Sequence, residues 1–275
     1  TGNQVPSELC EVAGSLVKLE IHNEELQLQD CQLDRLPSAL LALTHLRTLD
    51  LQHNNLRTLE ELLGLVHLQR LSCLKLAYNR VLALPPTVGV LRALELLDLS
   101  NNQLKSLPPA LFTLHRLRRL LLAGNLLPEL PSEVKALALL TELDLSGNRL
   151  ESLTSDLFNC LELRILNVSR NSIGSLPGGI SALSHLSRLD LRSNSLEELP
   201  AELGCCLGLC GGGLLVERWL TIKNYGDSDA KRMHNSGSNN DTGDYVGLYE
   251  QKSGLILWFQ KNTFYFVNTF YYLII

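Results

Sequence analysis

An eleven-residue pattern, LxxLxLxxNxL, returns along this chain at a nearly fixed interval, and no other feature restricts its folding as much. It reads LRTLDLQHNNL at 46–56, LSCLKLAYNRV at 71–81, LELLDLSNNQL at 94–104 and LRRLLLAGNLL at 117–127. It continues as LTELDLSGNRL at 140–150, LRILNVSRNSI at 163–173 and LSRLDLRSNSL at 186–196. The asparagines are Asn54, Asn79, Asn102, Asn125, Asn148, Asn171 and Asn194, with one step of 25 residues followed by five of 23. Cys31 lies 23 residues before Asn54, in ELQLQDCQL, which makes eight units in phase. A period of this length marks an array in which each unit buries its apolar face only against its neighbours.

Each position in the unit has a physical reason. Leu97 and Leu99 alternate, so both point to the same side of a short strand. Stacked strands then form a parallel sheet on a concave face. The asparagine turns the chain inward, and its buried amide must find hydrogen bonds, since an unpaired one costs roughly 1–3 kcal/mol. A ladder of such bonds is expected through Cys31, Asn54, Asn79, Asn102, Asn125, Asn148, Asn171 and Asn194. The second half of most units carries Leu-Pro, as in Leu36-Pro37, Leu84-Pro85, Leu107-Pro108, Leu130-Pro131, Leu176-Pro177 and Leu199-Pro200. Proline fixes φ at the turn into a short helical segment, whose inward face includes Leu111 and Leu114. The expected fold class is therefore α/β. It is a leucine-rich-repeat solenoid, or horseshoe, with a parallel concave sheet and short helical or irregular convex segments.

The phase breaks at both ends. LVKLEI at 16–21 reads as a repeat head, yet the next head follows seven residues later, about 16 short of a period. That implies a deletion and a strand that packs poorly. Beyond residue 220 the composition changes. Residues 224–244 are rich in Asn, Gly, Ser and Asp and read as flexible. Residues 254–275 are apolar and aromatic, and 11 of the chain's 15 aromatic residues lie from Tyr225 onward. Three origins fit the shift: read-through of non-coding sequence, an alternative C-terminus, or a membrane segment, the last interrupted by Lys261 and two asparagines. The expected organisation is a truncated N-terminal repeat at 1–24, a repeat domain of eight units at 25–220 and a disordered or aberrant tail at 221–275. With Thr at position 1 and no signal peptide, the chain reads as a fragment.

The net charge of −5 and pI near 5.8 argue against nucleic acid as the main partner. Cysteines number seven, and Cys31 and Cys160 fall at inward positions. Buried free thiols, with no cysteine-knotted caps, suit a cytoplasmic location. Phase also sets the concave face. One column is Asp50, Lys75, Asp98, Leu121, Asp144, Asn167 and Asp190, and its neighbour includes Thr48, Cys73, Arg119, Glu142 and Arg188.

A protein partner is expected to meet Asp50, Lys75, Asp98, Arg119, Glu142, Asp144, Arg188, Asp190 and Arg192. The same column also reads as a solvated polar face. As a metal site it fails, because Asp98, Asp144 and Asp190 sit two repeats apart, about 10 Å at strand spacing. His115, Arg116, Arg118 and Arg119 form a local basic patch, read as solvated. Cys205, Cys206 and Cys210 lack the second ligand pair of a zinc site. Gly211–Gly213 lacks the phosphate-loop context and reads as a loose turn. Sequons start at Asn167 and Asn240. No enzyme constellation, cofactor site or metal site stands out.

NNLRTLEELLGLVHLQRLSCLKLAYNRVLALP at 54–85 holds the 25-residue unit among 23-residue ones. With LVKLEIHNE at 16–24 and LPAELGCCLGLCGGGLLVE at 199–217, it closely resembles the leucine-rich-repeat-containing family 8 proteins, subunits of the volume-regulated anion channel. The resemblance covers roughly residues 1–217 and stops after Glu217. It implies a cytoplasmic regulatory domain hung beneath a membrane pore domain that these residues do not contain. It also implies assembly with like subunits in a hexameric channel passing chloride and small osmolytes. The expected function is protein–protein interaction through the concave face, with membrane contact only through the pore domain. The alternative is a soluble intracellular leucine-rich-repeat scaffold resembling the short-repeat Ras-pathway proteins.

Overall fold

The computed structural model describes residues 20–22, 24–36, 40, 43–59, 67–209, 212–216, 221–223, 245–250, 255–260 and 263–268. Each unit contributes one three-residue strand. After β1 (Glu20–His22) and β2 (Glu25–Gln27) come β3 (Thr48–Asp50), β4 (Cys73–Lys75), β5 (Leu96–Asp98) and β6 (Arg119–Leu121). Then follow β7 (Glu142–Asp144), β8 (Ile165–Asn167) and β9 (Arg188–Asp190). From β2 to β9 every neighbouring pair is parallel and in the same register, so Leu26, Leu49, Leu74, Leu97, Leu120, Leu143, Leu166 and Leu189 form one row. All eight are buried. Their flanking strand residues face the concave side and keep partial exposure at most units, as the pattern of two-residue alternation requires.

Behind the sheet lie the buried leucines that close each turn, with Leu99, Leu111, Leu114 and Leu117 all at 0% exposure. Fully burying one such side chain contributes roughly 1.5–3 kcal/mol. On the convex side the chain makes five-residue 3-10 turns: Pro86–Val90, Pro109–Thr113, Ser132–Ala136, Ser155–Asn159, Gly178–Ala182 and Ala201–Cys205. At Pro85, Pro108, Pro131, Pro177 and Pro200 the proline of the Leu-Pro pair is the cap residue of its turn: Pro108 has φ −72 and ψ 146. Its ring thus supplies a φ the entry demands. Where the pair is Leu153-Thr154 instead, the Thr154 hydroxyl accepts a hydrogen bond from the Asp156 N–H at 3.3 Å and caps the turn itself.

The N-terminal irregularity has a simple resolution. β1 pairs with β2 in the antiparallel sense, Glu20 opposite Gln27 and His22 opposite Glu25, where an intact repeat would add a parallel strand. Seven residues between heads are too few for a parallel crossover, which needs a dozen or more, but suffice for a hairpin. Glu24 takes φ 73 in that turn.

At the other end, β10 (Glu198–Pro200) leaves the main sheet and pairs with β12 (Thr221–Lys223). β11 (Leu214–Leu215) continues the parallel sheet after β9. Gly213, just before it, is closely packed, while Gly211 lies outside the described residues. A Cβ on Gly213 would stand 2.0 Å from the Ser187 carbonyl oxygen, so only glycine lets the closing segment lie against β9. β13 (Tyr245–Glu250), β14 (Leu255–Gln260) and β15 (Thr263–Asn268) extend the sheet in antiparallel sense, β15 against β11. The polar stretch 224–244 lies outside the described residues. Among the described residues no helix is long and apolar enough to cross a membrane.

Candidate protein-binding face

The strand exits hold the face in place. Every ladder asparagine is bonded in the same way. Asn125 Nδ2 donates to the Leu122 carbonyl of its own turn at 3.0 Å and to the Leu99 carbonyl of the turn before at 2.9 Å. Its Oδ1 accepts from the Leu104 N–H at 3.0 Å. Leu99 O also receives Asn102 Nδ2, and Leu122 O also receives Asn148 Nδ2, so each carbonyl is shared by two successive asparagines. The chain of bonds runs unbroken from Leu28 O to Leu191 O. Cys31 has only part of this role: its thiol donates to Gln29 O at 3.0 Å, and its N–H donates to Asn54 Oδ1.

The residue before each asparagine is left-handed: His53, Tyr78, Asn101, Gly124, Gly147, Arg170 and Ser193 have φ between 53 and 65. Only two are glycine. At Gly124 the requirement is double, because a Cβ there would also lie 2.5 Å from Asn101 Oδ1. His53 and Tyr78 stack with ring centroids 4.4 Å apart.

The aspartate column has a local role that its spacing alone does not reveal. Asp98 Oδ1 accepts the Ser100 N–H at 3.0 Å, Asp144 Oδ1 accepts the Ser146 N–H at 2.9 Å, and Asp50 and Asp190 do the same for Gln52 and Arg192. Asn167 stands in for aspartate with the Ser169 N–H at 3.1 Å. These are Asx turns, which steer the strand toward the left-handed residue. The sequence signal was present: Asn and Asp interchange in this slot, as they do in turns and seldom do in acid catalysis.

The acids differ in what else they meet. Asp50 is 2% exposed and accepts from Gln29, Gln52 and Lys75 Nζ, the last at 3.2 Å. Asp190 is 4% exposed, with Arg192 Nη2 at 2.6 Å and Nε at 3.0 Å. Asp98 and Asp144 are half-buried and meet no cation in the described residues. Arg119 and Glu142 form an ion pair across β6 and β7. Arg188 is exposed on β9. Of the basic patch, all four side chains are exposed; Arg118 approaches Glu95 at 4.0 Å and His115 Nδ1 lies 3.4 Å from Ala136 O. Among the half-exposed apolar residues between these charges, sequence reading placed Leu121 in the concave column without counting it as partner-binding, and passed over Leu96 and Ile165.

The cysteines of the described residues are free. Cys160 and Cys206 fill the slot that Leu91, Leu114, Leu137 and Leu183 hold at the exit of other convex turns. Burial pushes both thiols up to about 11. Each donates to a carbonyl of the preceding turn, Val134 O at 3.4 Å and Ile180 O at 3.3 Å. Burial also raises the Cys31 and Cys73 thiols. Cys205 is exposed, and Cys210 lies outside the described residues. No group of three or more metal-ligating side chains occurs among the described residues.

A solenoid of one-strand units, closed by an asparagine ladder, defines a leucine-rich-repeat protein. The family described as "Leucine rich repeat" matches residues 69–127 and 138–196, and a second repeat family of that description matches residues 42–59. Among solved structures, a leucine-rich-repeat protein of Leptospira interrogans superposes with TM-score 0.63 at 28% identity, over 73% of this chain and 56% of that one. A TDR receptor superposes with TM-score 0.63 at 26% identity, over 72% and 35%.

Over the repeat region the chain is homologous to the volume-regulated anion channel subunits of leucine-rich-repeat-containing family 8. It is 43% identical over 128 residues to subunit LRRC8D of Rattus norvegicus, covering 40% of this chain and 15% of that protein. It is 38% identical over 127 residues to LRRC8A of Homo sapiens, covering 40% and 16%. The aligned stretch is thus a small part of each relative's length.

Proposed function

We propose that this chain is a protein-interaction module of the kind that regulates volume-regulated anion channels from the cytoplasmic side. The similarity to channel subunits, 38–43% over the repeats, carries this reading. Two features support it. The concave sheet presents Asp98, Arg119, Glu142, Asp144 and Arg188 on an in-register scaffold where each unit varies independently of the core. The free, buried thiols of Cys31, Cys160 and Cys206 suit a reducing compartment. The chain acts through its concave face and through lateral contacts with like repeat domains, in the hexameric arrangement that the resemblance implies. The conducting pore of such a channel belongs to other segments.

The test is co-expression of the tagged chain with full-length LRRC8D in cells lacking endogenous subunits. Retention of LRRC8D on the tag after detergent extraction, with an altered swelling-activated anion current, is the expected result. Absence of LRRC8D from the eluate together with an unchanged current overturns the reading.

A further inference from the structure

Along the row Asp50, Lys75, Asp98, Leu121, Asp144, Asn167 and Asp190, charge is balanced at the ends and unbalanced in the middle. Lys75 stands beside both Asp50 and Asp98 in register, but its amine is turned to Asp50. Arg192 saturates Asp190. That leaves Asp98 and Asp144 as two half-buried carboxylates with no cation in the described residues. Arg119, on the strand between theirs but in register with Leu96 and Glu142, is engaged by Glu142. Leu121 lies directly between the two aspartates, paired in register to both, and is half-exposed. Leu96 on β5 adds a second half-exposed aliphatic surface. On the far side of the row the side chains are small, Ser100, Ala123 and Ser146, so the seat around Leu121 is open.

We propose that Asp98, Leu121 and Asp144 form the seat for a basic amphipathic helix of a partner protein. Two strand steps separate the aspartates by about 10 Å. A helix rises about 10.5 Å over seven residues. Lys or Arg at i and i+7 therefore meets the two carboxylates, and an aliphatic residue at i+3 or i+4, on the same helix face, meets Leu121. An extended peptide fits less well, because its residues three apart, at the same span, point to opposite sides. Among the described residues the Asp98 carboxylate accepts only the Ser100 N–H, and that of Asp144 only the Ser146 N–H and Asn167 Nδ2 at 3.2 Å, so cations set against these two carboxylates give selectivity for a basic partner and a steep salt dependence. The inference rests on the concave sheet being the docking face.

The probe is a designed helical peptide carrying lysines at i and i+7 and leucine at i+4, labelled for fluorescence anisotropy and titrated with the full chain. Its control has the same composition with the lysines moved to the opposite face. Binding at least tenfold tighter for the first peptide, weakening as salt rises, is expected. The double substitution D98N/D144N should reduce it at least tenfold. Asn167 already makes the Asx turn with an amide in this slot, so both substitutions keep the strand exit. Leu121→Ser should weaken binding without moving the unfolding midpoint. Equal binding of the two peptides, or full binding to D98N/D144N, overturns the proposal. Capture of LRRC8D without peptide binding sinks the seat and leaves the channel reading; peptide binding without LRRC8D capture does the reverse.

Discussion

At the scale of single residues, the asparagine does more than fill a turn. Because each receiving carbonyl serves two asparagines, removing one amide does not strip Leu99 O or Leu122 O of every partner. What is orphaned is the Leu104 N–H, on a residue with 0% exposure. Asn125→Leu is therefore expected to cost about 2–3 kcal/mol, the range for one buried donor left unsatisfied plus the broken bridge. Urea unfolding measures it, and an unchanged midpoint would count against the ladder. The need for a ladder was legible from eight in-phase Asn or Cys positions. That the carbonyls are shared was not, because sharing depends on how far one turn is displaced from the next. The aspartates show the same limit. Their column was legible, while the division into ion-paired ends, Asp50 and Asp190, and a centre bonded only to neutral donors, Asp98 and Asp144, follows from where Lys75 and Arg192 reach.

At the scale of elements, the convex turns read differently in sequence and structure. Leu-Pro predicts a helical entry, and the observed 3-10 turn of five residues is the form a segment this short can close. The exit slot tolerates Leu or Cys, and the cysteines make stability depend on pH. Their folded thiols sit near 11, above the ordinary 9.0, so the neutral form is favoured by folding. That contribution is whole below pH 9.0 and is lost as pH rises through about 11. Replacing both by the leucine of neighbouring units, in C160L/C206L, should flatten the fall of the thermal midpoint between pH 9.0 and about 11 relative to the parent chain. Parallel curves for the two proteins would show that these thiols do not titrate as buried groups.

At the scale of the whole molecule, the ends differ from the middle. β6 and β7 have parallel neighbours on both sides, whereas β2 is covered by the three-residue hairpin strand β1. In a one-dimensional array the stability of a unit depends on its neighbours, so opening begins at the ends. Hydrogen exchange should find the amides of Leu28 and Leu51 less protected than those of Leu122 and Leu145, all of which bond to the following turn. Uniform protection along the array would mean that the short hairpin seals the end as well as a full repeat does.

The 23-residue phase by itself determined the solenoid, the parallel order of its strands and which leucines are buried, because a unit of that length has no other way to hide its apolar positions. The pattern around the 25-residue unit also sufficed to point to the channel-subunit family. Tertiary structure decided what lies between units. It turned the shortened N-terminal head into a hairpin, since seven residues cannot make a parallel crossover. It made Gly213 a point of close backbone approach. It also left two of four aspartates without a cation, because the reach of a long basic side chain across neighbouring strands is a property of the packed face and is not written in the spacing of the sequence.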